Sequence, residues 1–178
     1  MTDSSRVLYL LGCAAPPVRR LPSAVTACQQ AGWDVAVVLT PTARRWLEEE
    51  IPALEEATGH PVRSQYKLPG EGDVLPPADA MLVAPVTFNT INKWADGHAD
   101  NLVLGLLTEA IGLQLPIVAL PYLNAAQAGH PALARHVGEL RGAGVDVLLG
   151  DGGFHPHIPQ HGDLDGYPWQ TAIAALPS

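Results

Sequence analysis

The run Ala80–Ala84 carries no charged or polar side chain, and Pro85-Val86-Thr87-Phe88-Asn89-Thr90 follows it at once. A continuous apolar run of this length reads as a strand buried on both faces of a parallel sheet, which requires helices above and below. Pro85 ends it. Thr87, Asn89 and Thr90 then fall where a helix begins, so free backbone N–H groups, two hydroxyls and one carboxamide gather at the carboxyl end of the strand. Open α/β sheets bind ligands there. Asp96-Gly97 reads as a helix end, and Asp100 as the cap of a second helix, Asn101 to Gly112.

The rest of the chain repeats the alternation. Val7 to Leu11 is a buried strand, joined through Gly12-Cys13-Ala14-Ala15-Pro16-Pro17 to a helix from Arg19 to Gln30. Small side chains in such a loop admit a ligand phosphate, although a tight turn with no ligand reads the same way. Val35 to Leu39 is the second strand. Thr40-Pro41 opens the next helix, which breaks at Ile51-Pro52 and resumes to Ala57. Val62 to Tyr66 reads as a third strand, Pro116 to Leu120 as the fifth and Asp146 to Leu149 as the last; Pro131 to Arg141 and Tyr167 to Leu176 read as helices. The pattern predicts one domain over residues 1–178, a three-layer αβα doubly wound parallel sheet of Rossmann-like or flavodoxin-like type.

Charge narrows the partners. A net charge of -8 gives no basic footprint for nucleic acid, and sparse Lys and Arg argue against a membrane surface. No apolar run approaches a membrane span, and Met1 to Arg6 is too short and polar for a secretion signal, so a cytoplasmic protein with a small-molecule or peptide partner is expected. Cys13 and Cys28 form neither a disulfide framework nor a thiolate metal site.

Pro85-Val86-Thr87-Phe88-Asn89-Thr90, with Ile91-Asn92-Lys93 and Asp100-Asn101-Leu102, resembles the Pro-Ala-Ser-Ala-Asn-Thr signature and downstream Asp-Asn-Leu of the homo-oligomeric flavin-containing cysteine decarboxylases. That family includes phosphopantothenoylcysteine decarboxylase and the enzymes acting on the C-terminal cysteine of lantibiotic precursors. The resemblance implies FMN, held by Gly12, Cys13, Ala14, Thr40, Pro85, Thr87, Asn89, Thr90, Asp100 and Asn101. Thr40 is then a phosphate ligand as well as a helix cap. Pro121-Tyr122-Leu123-Asn124 resembles the family's Pro-Ala-Met-Asn motif; Asn124 therefore either binds the substrate carboxylate or caps a turn, and Asn89 and Asn124 are the candidate catalytic residues. The resemblance also implies a homotrimer, or a homododecamer built from trimers, with FMN between subunits. Phe88, Ile91 and Trp94 suit either such an interface or a core.

Several residues depart from the family. A histidine is usual about a dozen residues before the signature proline; this chain has Glu71 or Asp73 there, with His60 upstream. A carboxylate serves as base only if its surroundings raise its pKa. Cys13 replaces a hydroxylated residue, and no cysteine follows Cys28 in the segment 150–166, which reads as a mobile substrate flap. His155, His157 and His161 in that flap lack the regular spacing of a metal site, and none is expected. With neither a flap cysteine nor an appended ligase domain, the implied reaction is oxidative decarboxylation of a peptidyl C-terminal cysteine that stops at the enethiol. An FMN-dependent reductase, a prenyltransferase-like relative and a non-catalytic flavin-binding subunit are the alternatives.

Overall fold

The computed structural model describes residues 6–178. The leader reading, apart from Arg6, lies outside them. Five strands form one all-parallel sheet among the described residues: β1 (Arg6–Gly12), β2 (Trp33–Leu39), β3 (Ala80–Val86), β4 (Ile117–Pro121) and β5 (Val145–Val147), in the order β2-β1-β3-β4-β5. The helices are α1 (Leu21–Gln30), α2 (Pro41–Trp46), α3 (Ile51–Thr58), α4 (Phe88–Ala95), α5 (Leu102–Gly112), α6 (Ala125–Ala128), α7 (Pro131–Gly142) and α8 (Trp169–Ala174), and a 3-10 turn, Pro16–Arg20, precedes α1.

The apolar strands sit in the middle because a parallel sheet buries both its faces. Leu10 pairs with Val37 on one side and Leu82 on the other, and all three are essentially inaccessible to water. Each such side chain contributes about 2 kcal/mol on leaving water. Parallel crossovers are right-handed, so the reversal of strand order at β1 sends successive helices to opposite faces. Accordingly, α1 packs on β2 and α8, while α4 packs on α5 and α7. The three-layer arrangement and the flavodoxin-like strand order agree with the sequence reading.

The expected strand Val62–Tyr66 is reduced to a single bridge, Arg63 to Val38. Arg63 N donates to Val37 O and Leu39 N to Arg63 O. Pro61 has no N–H to extend this pairing, and the Val62 N–H is taken by Glu55 Oε1 at 2.9 Å. The last strand also ends early. Leu149, expected inside it, instead bridges to Phe154 across a turn through Gly150 and Gly152, both at positive φ.

Candidate active site at the switch point of the sheet

The chain runs outward from β1 to β2, then crosses back to β3, and a cleft of about 430 Å³ opens at the carboxyl ends of these strands. Cys13 and Ala14 enter it from β1, Thr40, Pro41 and Thr42 from β2, and Thr87, Asn89, Thr90 and Lys93 from β3 and α4; Asp100 and Asn101 close it ahead of α5. Main-chain bonds hold the strand exits together. Cys13 N donates to Pro85 O at 3.0 Å and Thr40 N to Gly12 O at 2.9 Å.

Of the cofactor residues expected from sequence, Gly12 and Pro85 are buried beneath the cleft and do not line it. A Cβ on Gly12 would come within 2.8 Å of Leu39 Cδ2 and 3.1 Å of Val18 Cγ2, so glycine lets the 3-10 turn pack down on the strand ends. Pro85 follows a cis peptide bond at the point where the β3–β4 register shifts.

The start of α4 is built from hydroxyls. Thr87 caps it, accepting from Thr90 N at 3.2 Å, and its Oγ1 lies 3.1 Å from Thr90 Oγ1. Cys13 Sγ lies 3.5 Å from the same Thr90 oxygen. Burial pushes the Cys13 thiol up and outweighs the opposing effect of its hydrogen bonding with Thr90 and the Thr87 backbone. The first N–H groups of a helix have no acceptor inside it, and this end therefore faces the cleft with positive character.

Asp100 does not cap α5. Asn101 does, accepting from Leu104 N at 3.0 Å, and its side-chain NH2 remains available. Asp100 instead pairs with Lys93 across the cleft wall, and hydrogen bonding to that ammonium holds its carboxyl below the usual range. Both residues are good caps, and their adjacency hid which one serves. Lys93, noted with the signature, Pro41, read as a helix start, and Thr42 were not assigned to the site from the sequence. For Lys93 the signal was there: it lies three residues after Thr90 and four after Asn89, on one helix face. Thr40 accepts from Ala43 N at 3.4 Å, which leaves its hydroxyl proton free for a ligand.

Asn124 lies outside this cleft, at the exit of β4. Its side chain and that of Gln127 form a reciprocal capping box at the start of α6. The flap comes alongside: Asn124 bridges to His157, and Ala125 N donates to His157 O at 2.8 Å. Tyr122, Phe154, His157 and Tyr167 form an aromatic cluster with centroids 4.9 to 6.3 Å apart. Phe154 is buried, as is Tyr167, whose hydroxyl donates to Leu120 O at 2.7 Å. The flap expected at 150–166 is thus anchored at Phe154 and His157, while residues 158–163 are exposed.

The substitutes for the missing histidine do not reach the cleft. His60 Nε2 lies 2.8 Å from Asp34 Oδ1, beside the amino end of β2 and opposite the ligand-binding edge. Glu71 accepts from Leu68 N and Asp73 pairs with Lys67 in an exposed loop. Among the described residues no three His, Cys, Asp or Glu side chains converge on a metal position. Nor is any helix there long and apolar enough to cross a membrane. Ile91 and Trp94 belong to the core, and half-buried Phe88 meets His130 edge-on.

Known proteins resemble this chain in sequence and in fold. A cysteine/cysteine sulfinic acid decarboxylase from an unknown prokaryotic organism is 38% identical over 71 residues, covering 40% of this chain and 19% of that protein. The coenzyme A biosynthesis bifunctional protein CoaBC of Thermococcus kodakarensis is 31% identical over 124 residues, covering 66% of this chain and 30% of its own. The chain therefore spans between about a fifth and a third of the length of these curated relatives. Among solved structures, the FMN-dependent cysteine decarboxylase SpaF superposes with a TM-score of 0.68 at 24% identity, covering 97% of each chain. The cypemycin decarboxylase CypD gives 0.69 at 19%, covering 97% of this chain and 92% of that one. At these identities the likeness is one of fold. The Flavoprotein family profile matches residues 3–164, and the chain belongs to that family.

Proposed function

We propose that the chain binds FMN in the switch-point cleft and oxidatively decarboxylates a cysteine, with the C-terminal cysteine of a peptide as the favoured substrate. The observation that carries this is the donor set of the cleft. Hydroxyls of Thr40, Thr42, Thr87 and Thr90, carboxamides of Asn89 and Asn101, and the start of α4 surround a space of about 430 Å³. Neutral donors at a helix start suit a phosphate, and carboxamides suit the polar edge of a flavin. The residues fit the group.

When bound, FMN supplies the two-electron oxidation that makes loss of carbon dioxide from the cysteine feasible. The protein's part is positional. The Thr40 and Thr90 hydroxyls would hold the phosphate end, with Thr87 aligning Thr90, and Asn89 and Asn101 would orient the ring. The Asn124 cap uses its carbonyl oxygen and leaves its NH2 to hold the substrate carboxylate. Tyr122 and the strap through His157 enclose the substrate end, which limits water there.

FMN is held between subunits of a homotrimer or of an assembly of trimers in the cytoplasm. The exposed apolar residues Tyr66, Leu68 and Val74 on the loop before β3 are compatible with such contacts, and light scattering of the FMN-loaded protein tests the assembly.

Reconstitution with FMN, then anaerobic incubation with a cysteine-terminated peptide, should bleach the flavin while the peptide loses the elements of formic acid. Bleaching without release of carbon dioxide would mark a flavin reductase instead. A protein that stays colourless and takes up no FMN would overturn the proposal.

A further inference from the structure

Cys13 lines the cleft, and its thiol is engaged with a neighbouring hydroxyl. Its sulfur is buried and lies 3.5 Å from Thr90 Oγ1. Thr87 Oγ1 lies 3.1 Å from that same oxygen, and Thr87 itself is committed as the cap, accepting from Thr90 N. A threonine hydroxyl has two lone pairs and one proton. With the Cys13 S–H and the Thr87 O–H both donating to it, Thr90 Oγ1 has filled its acceptor sites. Its own proton then has one open direction, the cleft that Thr90 lines.

We propose that Cys13 is a positioning residue which, together with Thr87, fixes the buried Thr90 hydroxyl as a donor into the cleft, aimed at an anionic oxygen of a phosphate monoester. This rests on the FMN reading and makes it more specific. Thr90 is only 4% exposed, so little solvent competes for the donor, and the orientation is set before the ligand arrives. The sulfur acts through its neighbour, by its contact with Thr90 Oγ1. Lys93, the one basic side chain among the described residues that line the cleft, is paired with Asp100, which leaves oriented neutral donors to carry phosphate recognition.

The test compares equilibrium binding of FMN and riboflavin, which differ by the phosphate, measured by quenching of flavin fluorescence. Cys13→Ala should weaken FMN about tenfold and leave riboflavin unchanged, the size expected when a hydrogen bond to a charged group is misaligned. Cys13→Ser should restore FMN affinity, because a serine hydroxyl supplies the missing donor. Thr90→Val should weaken FMN by at least as much as Cys13→Ala, while Thr90→Ser retains binding and shows that the fold tolerates change there. Equal losses for both flavins in Cys13→Ala, or failure of Cys13→Ser to rescue, would overturn the role of Cys13. Unchanged FMN affinity in Thr90→Val would overturn the donor. A wild-type protein that binds neither flavin would overturn the FMN reading and this inference with it; normal wild-type binding with indifferent variants overturns the inference alone.

Discussion

The two ends of the ligand-binding edge are built by different means. At β1, β2 and β3 the cleft is walled by short polar side chains, each fixed by a main-chain or capping bond within a few residues, as Thr40, Thr87 and Asn101 are. At β4 the surroundings of Asn124 are aromatic and come from far along the chain, with Phe154, His157 and Tyr167 folding back over Tyr122. Local caps make a rigid cradle suited to a permanent ligand. A strap anchored by ring packing can yield to a substrate and close again, because its exposed stretch, residues 158–163, has few bonds to the sheet. If that division is right, damage at one end should spare the other.

The largest expected effect is on stability at the β4 end. Phe154→Ala should lower unfolding free energy by about 3 kcal/mol in urea titration, because it empties the centre of the aromatic cluster. FMN affinity should stay within a factor of two of wild type. A comparable loss of FMN binding would show that the two ends are one cooperative unit. Next comes Asn124→Asp. Aspartate caps a helix as well as asparagine, so the melting temperature should hardly move. A second carboxylate facing the substrate carboxylate should cost about a hundredfold in kcat/KM. Intact turnover in this variant would remove Asn124 from the site.

The same division explains what was legible in the sequence. The buried strand Ala80–Ala84 and the caps after it are local signals, and the residues they marked, Cys13, Thr40, Thr87, Asn89, Thr90 and Asn101 among them, do meet around one cleft. Errors came where two neighbours had equal local claims or where the deciding contact was distant. Asp100 and Asn101 are both good caps, and only the reach of Lys93 from α4 separates them. Val62–Tyr66 has the composition of a strand, but a side-chain acceptor on Glu55 and the neighbouring proline stop the pairing at Arg63. Phe154 read as part of a mobile flap and Tyr167 as the start of a terminal helix. Their burial depends on Leu120 and Tyr122, far away in sequence, and no periodicity announces such a contact.

A smaller effect sharpens the cradle side. Thr87→Ala removes the cap of α4 and a donor to Thr90, which should cost about 1 kcal/mol of stability. FMN affinity should fall with it, while the apparent affinity for a substrate peptide, measured at saturating FMN, should hold. If peptide affinity fell first, the assignment of α4 to the cofactor and β4 to the substrate would be reversed.

The smallest effect lies at the cradle rim. Lys93 holds the Asp100 carboxyl below its ordinary value, chiefly through their hydrogen bond. A carboxyl whose folded pKa lies below its unfolded one stabilises the fold fully above the unfolded value, about pH 4, and loses that contribution as pH falls through the folded value. Asp100→Asn should therefore leave stability at pH 7 slightly lower and make the melting temperature fall less steeply on acidification below about pH 4. Exposed pairs are screened, so the difference between variant and wild type should shrink as salt is raised. The variant also frees the Lys93 ammonium at the cleft wall, so FMN should bind more tightly relative to riboflavin while turnover at Asn124 is unchanged. A steeper acid limb in Asp100→Asn would mean that the carboxylate is opposed by its surroundings and that Lys93 has another partner in solution.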